Sequence, residues 1–324
     1  MAMNEPEDKP VQQSIEETEA SNERVRAASR KYTRRSFAVA ALSAAAGYGF
    51  CRWVFYSTAD GDQPLPRRRA YQANAAISRM IFKDRALAPT FPVSLAEEPR
   101  TNGSIGIKRD LMTDSWRLQL VGSEHETQSP RYVPDVTAWE YAYGADPESP
   151  TEPASLRERA GKAHRGLEEA GLSRSTLPAR TPGLLLTMDD IVRLPRHELV
   201  TQFKCIEGWS QIIQWAGVRM SDFIDAYPPA RKPDGSLPRY VYMETPNGDY
   251  YVGYDLHVCR HPQTLLVTEM AGKPLTQRHG APLRLHAPTK YGYKQIKRIG
   301  VIAYTDIKPD DYWTKLGYDW YAGL

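Results

Sequence analysis

Apolar and polar positions alternate along the second half of this chain in short bursts, separated by glycine, proline and asparagine. That period of two predicts half-buried strands at 116–121 (WRLQLV), 240–243 and 250–254, the last two flanking a turn at Asn247 and Gly248. Segments 264–270, 282–286 and 298–304 add three more. Helical spacing predicts short helices at TMDDIVRL, where Thr187 caps and Asp190 reaches back, at SQIIQWAG (210–217) and at MSDFIDAY (220–227). The sum predicts an α+β fold with mixed β-sheets, short helices and many loops.

The first third has a different texture. Residues 1–33 are polar and poor in aromatics, a composition that predicts a disordered or loosely helical region. Residues 34–56 open on Arg34 and Arg35 and continue as an apolar run, which resembles a twin-arginine export signal; a membrane anchor with a positive flank reads the same way. Ala44, Ala45 and Ala46 offer a cleavage site, yet apolar residues continue to Tyr56, so cleavage and retention both stay open. Residues 57–87 read as a linker holding one amphipathic helix at 70–82, and the folded domain is expected over 88–324. Residues 123–183 separate a clear strand from a clear helix and read as an insertion.

A net charge of +3 without a concentrated basic stripe argues against nucleic acid as a partner. Twenty-five prolines and nineteen tyrosines disfavour a helix bundle. The three cysteines (Cys51, Cys205, Cys259) form neither a zinc-type pair nor a disulfide framework. No GxGxxG, GxxxxGK[ST] or CxxCH occurs, so nucleotide, flavin and haem c readings lack a motif.

Two clusters carry candidate chemistry. In KCIEGWSQIIQW, Cys205 ends a strand-like run and precedes a helix-like one, where a helix N-terminus and Lys204 would favour a thiolate. Buried structural cysteine, nucleophile and ligand to a soft metal all remain open on the residues alone. His257, Cys259 and His261 alternate, so on a strand they would share one face, but no fourth metal ligand is in view. The second cluster, RHGAPLRLHAPTKYGYKQIKRIG (278–300), lies in a stretch without a carboxylate from Glu269 to Asp306, while Lys273, Arg278, Arg284, Lys290, Lys294, Lys297 and Arg298 supply cations. Such a stretch suits a buried phosphate or a solvated basic face.

Together the clusters resemble the paired signatures of the sulfite oxidase superfamily of molybdenum-pterin enzymes, nearest its periplasmic methionine sulfoxide reductase branch: Cys205, Glu207 and Trp209, then GAPLRL at 280–285 and KYGYKQIKRI at 290–299. The resemblance implies the sulfite oxidase fold, molybdenum-molybdopterin as cofactor, and Cys205 as the only protein ligand to the metal, with Glu207 near it as a polar or proton-handling group. Asn102, Thr245, His279, Arg284, Gln295, Ile296 and Lys297 fall on positions that hold the cofactor, the last four chiefly around its phosphate. His279 departs from the reductase branch, which has asparagine there, and resembles the sulfite oxidases instead. The implied activity is oxygen-atom transfer to or from a small or protein-bound sulfoxide or N-oxide, in the periplasm or cell envelope. A membrane haem protein or cytochrome would be the electron partner, since no haem or iron-sulfur motif is present. The alternatives are sulfite-oxidase-like oxidation, or a metal-free cysteine-dependent envelope protein or binding module. A chain ending at Leu324 without an immunoglobulin-like dimerisation domain is expected to be a monomer.

Overall fold

The computed structural model describes residues 9–56, 65–82, 85–144 and 177–324. It divides into two units, Met1–Arg68 and Arg69–Leu324.

The first unit contains helix α1, Lys9–Tyr56. The polar stretch expected to be disordered or loosely helical is thus continuous helix from Lys9. The reason lies in local propensity: no glycine or proline interrupts residues 11–46, which are rich in Ala, Arg and Glu. Within α1, Ser36–Val54 is long and apolar enough to cross a membrane, and none of it is buried. Helix α2, Leu65–Ile81, begins five residues before the sequence pattern predicts, because its arginine run is helix-forming and Pro66 falls in the first turn, where a missing N–H costs nothing.

In the second unit, a mixed six-stranded sheet has the order β2-β3-β1-β11-β6-β7, from β1 (Leu118–Val121), β2 (Tyr132–Val133), β3 (Gly183–Leu186), β6 (Tyr240–Glu244), β7 (Tyr251–Asp255) and β11 (Val301–Thr305). The β1–β11 pair is parallel, with Leu120 opposite Ile302; the other pairs are antiparallel. An antiparallel second sheet has the order β10-β8-β5-β4, from β4 (Arg196–Lys204), β5 (Ser210–Arg219), β8 (Leu265–Met270) and β10 (Arg284–His286), with β9 (Lys273–Pro274) pairing β8. The main core holds Leu118, Leu120, Leu186, Met220, Phe223, Met243, Val252, Leu285 and Ile302, drawing on both sheets. The helix Met188–Val192 starts at the Thr187 and Asp190 capping box that the sequence predicts, and Met220–Ala226 is the second expected helix.

Three expectations are corrected. SQIIQWAG is not a helix: 210–219 is strand β5, paired rung for rung with β4 from Ser210 opposite Lys204 to Val218 opposite Arg196. The tandem Ile212 and Ile213 blurs the period of two, but Gln211, Ile213, Trp215 and Gly217 all turn inward. Gly217 is forced, since a Cβ there would stand 2.1 Å from the Leu266 carbonyl oxygen. Second, the HVCRH segment is a helical turn, Leu256–Cys259, not a strand, so its histidines and cysteine share no strand face. Among the described residues no cluster of metal-ligating side chains is present. Third, the proposed insertion starts too early: Tyr132–Val133 pairs with β3, Val136 is fully buried, and the Tyr141 hydroxyl donates to the carbonyls of Arg117 (2.8 Å) and Gly300 (3.1 Å). Residues 123–144 and 177–183 belong to the packed domain; 145–176 lie outside the described residues.

Candidate active site

Cys205 sits at the tip of the β4–β5 hairpin. Its N–H bonds the Trp209 carbonyl (2.9 Å), the Gly208 N–H returns to the Cys205 carbonyl (3.1 Å), and Gly208 adopts φ +92°. This is the three-residue hairpin loop that places glycine in the left-handed region. Glu207 and Gly208 are exposed, while the cysteine between the strand and the loop is buried.

With β5 a strand, the helix expected to begin after Cys205 is not there, and neither is the dipole expected to favour the thiolate. Burial instead pushes the Cys205 thiol up, and the Glu207 carboxylate, 3.8 Å from Sγ, adds to the effect. Asn102 Nδ2 lies 3.6 Å from the same sulfur. The Lys297 ammonium holds Asn102 in place by donating to its carbonyl and to that of Gly103 (2.9 Å). Trp209 Nε1 donates to Glu207 (3.1 Å), and the Arg100 guanidinium covers the Trp209 ring at 4.9 Å. Residues far apart in sequence therefore meet at one sulfur: Asn102, Cys205, Glu207 and, through Asn102, Lys297.

The basic stretch is not a solvated face. Only Lys273 and Arg278 of its seven cations are exposed. Lys294 is buried in an ion pair with Asp311 (2.5 Å), and its ammonium also donates to the Gly253 carbonyl. Lys290 stands over the Tyr321 ring at 3.3 Å. Arg298, fully buried, binds the carbonyls of Arg109, Gln277 and Ala281 and the Gln277 amide oxygen (2.7 Å). These three are structural.

Arg284 is different. It is 3% exposed, has no carboxylate partner among the described residues, donates to the His279 carbonyl (3.1 Å), and lies over the Trp215 ring at 5.1 Å. Its Nε and Trp215 Nε1 are both buried without a hydrogen-bond partner. Desolvation lowers its pKa to about 10. A buried cation with unspent donors is the environment a bound anion completes.

His279 is half-buried beside it. Burial first, then the charges of Arg284, Lys297 and Arg278, lowers its pKa to about 4, so it is neutral at neutral pH. Gly280 joins the two halves of the cluster with φ +94°, and a Cβ there would stand 2.7 Å from both the Arg298 nitrogen and the Lys297 Cβ. We expect Gly280→Ala to cost about 1 to 3 kcal/mol, from the unfavourable dihedral and the clash together; unchanged denaturant unfolding would show that the loop relaxes freely.

The other expected cofactor positions are packed differently. Ile296 is fully buried in the core, and the Gln295 amide is spent on His286 Nδ1 (2.8 Å) and the carbonyls of Ala287 and Lys290. Thr245 is buried, its hydroxyl donating to Asn247 (2.8 Å), with Gly106 against its methyl group. A cleft of about 240 Å³ lined by Lys108, Arg109, Tyr143, Asn247, Asp249 and Arg298 contains none of the expected residues and does not include Cys205.

Sequence reasoning missed His286 as a support. It stacks on Trp215 (centroids 4.2 Å apart), and Nε2 meets the Thr201 hydroxyl at 2.8 Å. Because the Gln295 oxygen can only accept, Nδ1 carries the proton and Nε2 accepts from Thr201. Burial lowers the pKa of this histidine to about 3. The unfolded chain therefore takes up a proton below about pH 6.5 that the folded chain refuses, and stability falls as pH drops toward 3, by about 2 kcal/mol at pH 5. His286→Asn should be less stable at pH 7.5 yet lose less on acidification; parallel pH curves for the two proteins would refute this.

Known proteins resemble part of this chain. Residues 179–313, which contain Cys205 and the whole basic cluster, match the family described as oxidoreductase molybdopterin binding domain. The chain is similar to the protein-methionine-sulfoxide reductase subunit YedZ1 of Azospira oryzae, 37% identical over 42% of this chain and 50% of that protein. It is also similar to the protein-methionine-sulfoxide reductase catalytic subunit MsrP of Xanthomonas axonopodis (34% identical; 40% of this chain, 44% of that one) and of Xanthomonas campestris (31%; 56% and 57%). The chain thus spans about half the length of the curated relatives it matches. Likeness to the sulfane dehydrogenase SoxCD of Paracoccus pantotrophus is loose, with a TM-score of 0.40 and 16% identity over 70% of this chain and 47% of that one. The Cys205 hairpin and the basic cluster thus lie in a segment that matches a molybdopterin-binding oxidoreductase domain, and the chain is similar, over about half its length, to protein-methionine-sulfoxide reductase subunits.

Proposed function

We propose that this protein is a molybdenum-pterin oxidoreductase that reduces a sulfoxide, with Cys205 as the ligand to the metal. The observation that carries the reading is a buried thiol linked through Asn102 and Lys297 to a cluster where Arg284 is buried without a counter-charge. The residues fit the group. A soft thiol suits molybdenum, and metal binding would remove the proton that burial keeps on the sulfur. Arg284 would bind the pterin phosphate with its unspent donors, and Lys297 would keep Asn102 against the sulfur. His279, neutral, would border the same pocket, and the relatives' pattern adds Thr245 and the Gln295–Lys297 segment; Gln295 and Ile296 would contribute backbone, since their side chains are committed to the core.

When bound, the cofactor would supply two-electron, oxygen-atom chemistry. Each sulfoxide then consumes two electrons and two protons and leaves as sulfide and water. Glu207, exposed at the hairpin tip and held by Trp209, would deliver protons there. The electrons would come from a membrane haem protein or cytochrome. The RR pair and the apolar segment Ser36–Val54 support export of a folded protein to the periplasm with the chain held at the membrane. MsrP relatives act, by their names, on protein methionine sulfoxide, and a protein-bound sulfoxide is the substrate we favour.

A metal-free cysteine enzyme is disfavoured because the thiol is pushed up and, among the described residues, has no histidine as a hydrogen-bond partner. The test is expression in a molybdopterin-competent host, with molybdenum and pterin measured per chain and methionine sulfoxide reduction followed with a reduced dye. Stoichiometric cofactor and turnover are expected. Pure folded protein without molybdenum or pterin would overturn the reading.

A further inference from the structure

Helix α2 turns an apolar stripe outward. Ala73, Ala76, Ile77, Met80 and Ile81 recur at three- and four-residue spacing, which lines one helix face. All five are exposed, Ile77 at 48%, Met80 at 82% and Ile81 at 65%. Ala75 and Ser78 are half-buried, and Phe82 at the helix end lies where a Cβ on Gly323 would approach its ring to 3.2 Å. The stripe is therefore not the face by which the helix joins its own domain. A contiguous exposed stripe of this kind marks a contact surface rather than scattered surface apolars.

Charge indicates what covers it. Arg67, Arg68, Arg69, Arg79 and Lys83 accompany the helix, and no carboxylate occurs between Asp62 and Asp84. An apolar stripe in a segment whose sequence is basic and free of acids suits an anionic lipid surface. Ten residues separate Val54, the end of the apolar segment of α1, from Leu65. That tether is short enough to keep α2 near whatever surface holds the segment.

We propose that α2 is a second membrane contact, lying in the interface of an anionic bilayer with Ile77, Met80 and Ile81 among the upper acyl chains and its basic residues beside lipid phosphates. The proposal rests on the reading that Ser36–Val54 holds the chain at a membrane. A single anchoring helix leaves the catalytic domain free to turn; a contact made by a helix pinned to that domain fixes its orientation toward a membrane-bound electron donor.

The experiment uses the full chain carrying Cys51→Ser, since Cys205 and Cys259 are buried, with a bimane label on Met80→Cys, on Gly47→Cys within α1, or on the exposed Asp189→Cys. Each protein is reconstituted into phosphatidylcholine vesicles with or without about a third phosphatidylglycerol, and quenching is read with lipids bearing a shallow nitroxide for positions 80 and 189 and a nitroxide near the acyl-chain end for position 47, which lies near the middle of the apolar segment. Strong quenching at 47 and 80 but not at 189 is expected, that at 80 depending on phosphatidylglycerol. Replacing Arg67, Arg68 and Arg69 together by glutamine should remove most of the signal at 80 and leave 47 unchanged. Quenching at 47 with 80 as dark as 189 overturns the proposal while the anchor reading stands. No quenching at 47 overturns the anchor reading and the proposal with it. Equal quenching at 80 without phosphatidylglycerol overturns the assignment to anionic lipid.

Discussion

Cys205→Ser should abolish sulfoxide reduction while leaving the protein folded. The sulfur is at a hairpin tip whose geometry comes from backbone bonds and the left-handed Gly208, none of which needs the thiol. Serine fits that space, so unfolding behaviour should change by less than about 1 kcal/mol. Its alkoxide is a harder and far more basic donor than a thiolate, and it will not replace sulfur on a soft metal centre. The measurement pairs turnover with the electronic spectrum of the cofactor: activity should fall by at least about a thousandfold, in line with loss of a group acting on the reacting centre, and the charge-transfer bands should disappear. Retained activity would sink the assignment. Cys259→Ser is a useful contrast, because Cys259 is wholly buried in the core, its thiol pushed up by desolvation, and its loss should affect stability rather than the spectrum.

How much of this was legible in the sequence depends on where each residue's partner lies. Strands β6, β7 and β11 were readable because period-two alternation and the Asn247–Gly248 turn act locally, as does the Thr187 capping box. Strand β5 was not, because Ile212, Ile213, Trp215 and Ala216 also fit helical spacing, and only pairing with β4 on one side and β8 on the other decides the matter. That error carried over to the chemistry: a helix after Cys205 would have lowered the thiol's pKa, whereas the hairpin leaves burial and Glu207 to raise it.

The basic cluster illustrates the same limit. Its lack of carboxylates was visible, but the roles of its cations were not. Lys294 pairs with Asp311, which lies just beyond the acid-free stretch, and Arg298 spends its donors on carbonyls at 109, 277 and 281. Charge counting treats these residues and Arg284 alike. Only burial and partner geometry separate cations that brace the fold from Arg284, whose Nε is buried without a partner.

That separation gives the second large effect, a change of sign at one residue. In cofactor-free protein, Arg284 carries a charge in a buried site with no carboxylate opposite it among the described residues, and the desolvation that lowers its pKa to about 10 counts against the folded state. Arg284→Met keeps much of the volume, and with it contact with Trp215, while removing the charge. The apoprotein should therefore become more stable, by on the order of 1 to 3 kcal/mol. In holoenzyme the same change removes the partner of a buried phosphate and should cost about 2 to 5 kcal/mol of binding, seen as loss of most of the pterin on purification. Arg284→Lys should recover only part of it, since an ammonium cannot reproduce the guanidinium's forked donors over Trp215. Thermal melts of apoprotein and pterin content of material purified from a competent host read the two signs independently. A destabilised apoprotein would mean that Arg284 already has what it needs from the protein, and full pterin retention would mean that the phosphate binds elsewhere.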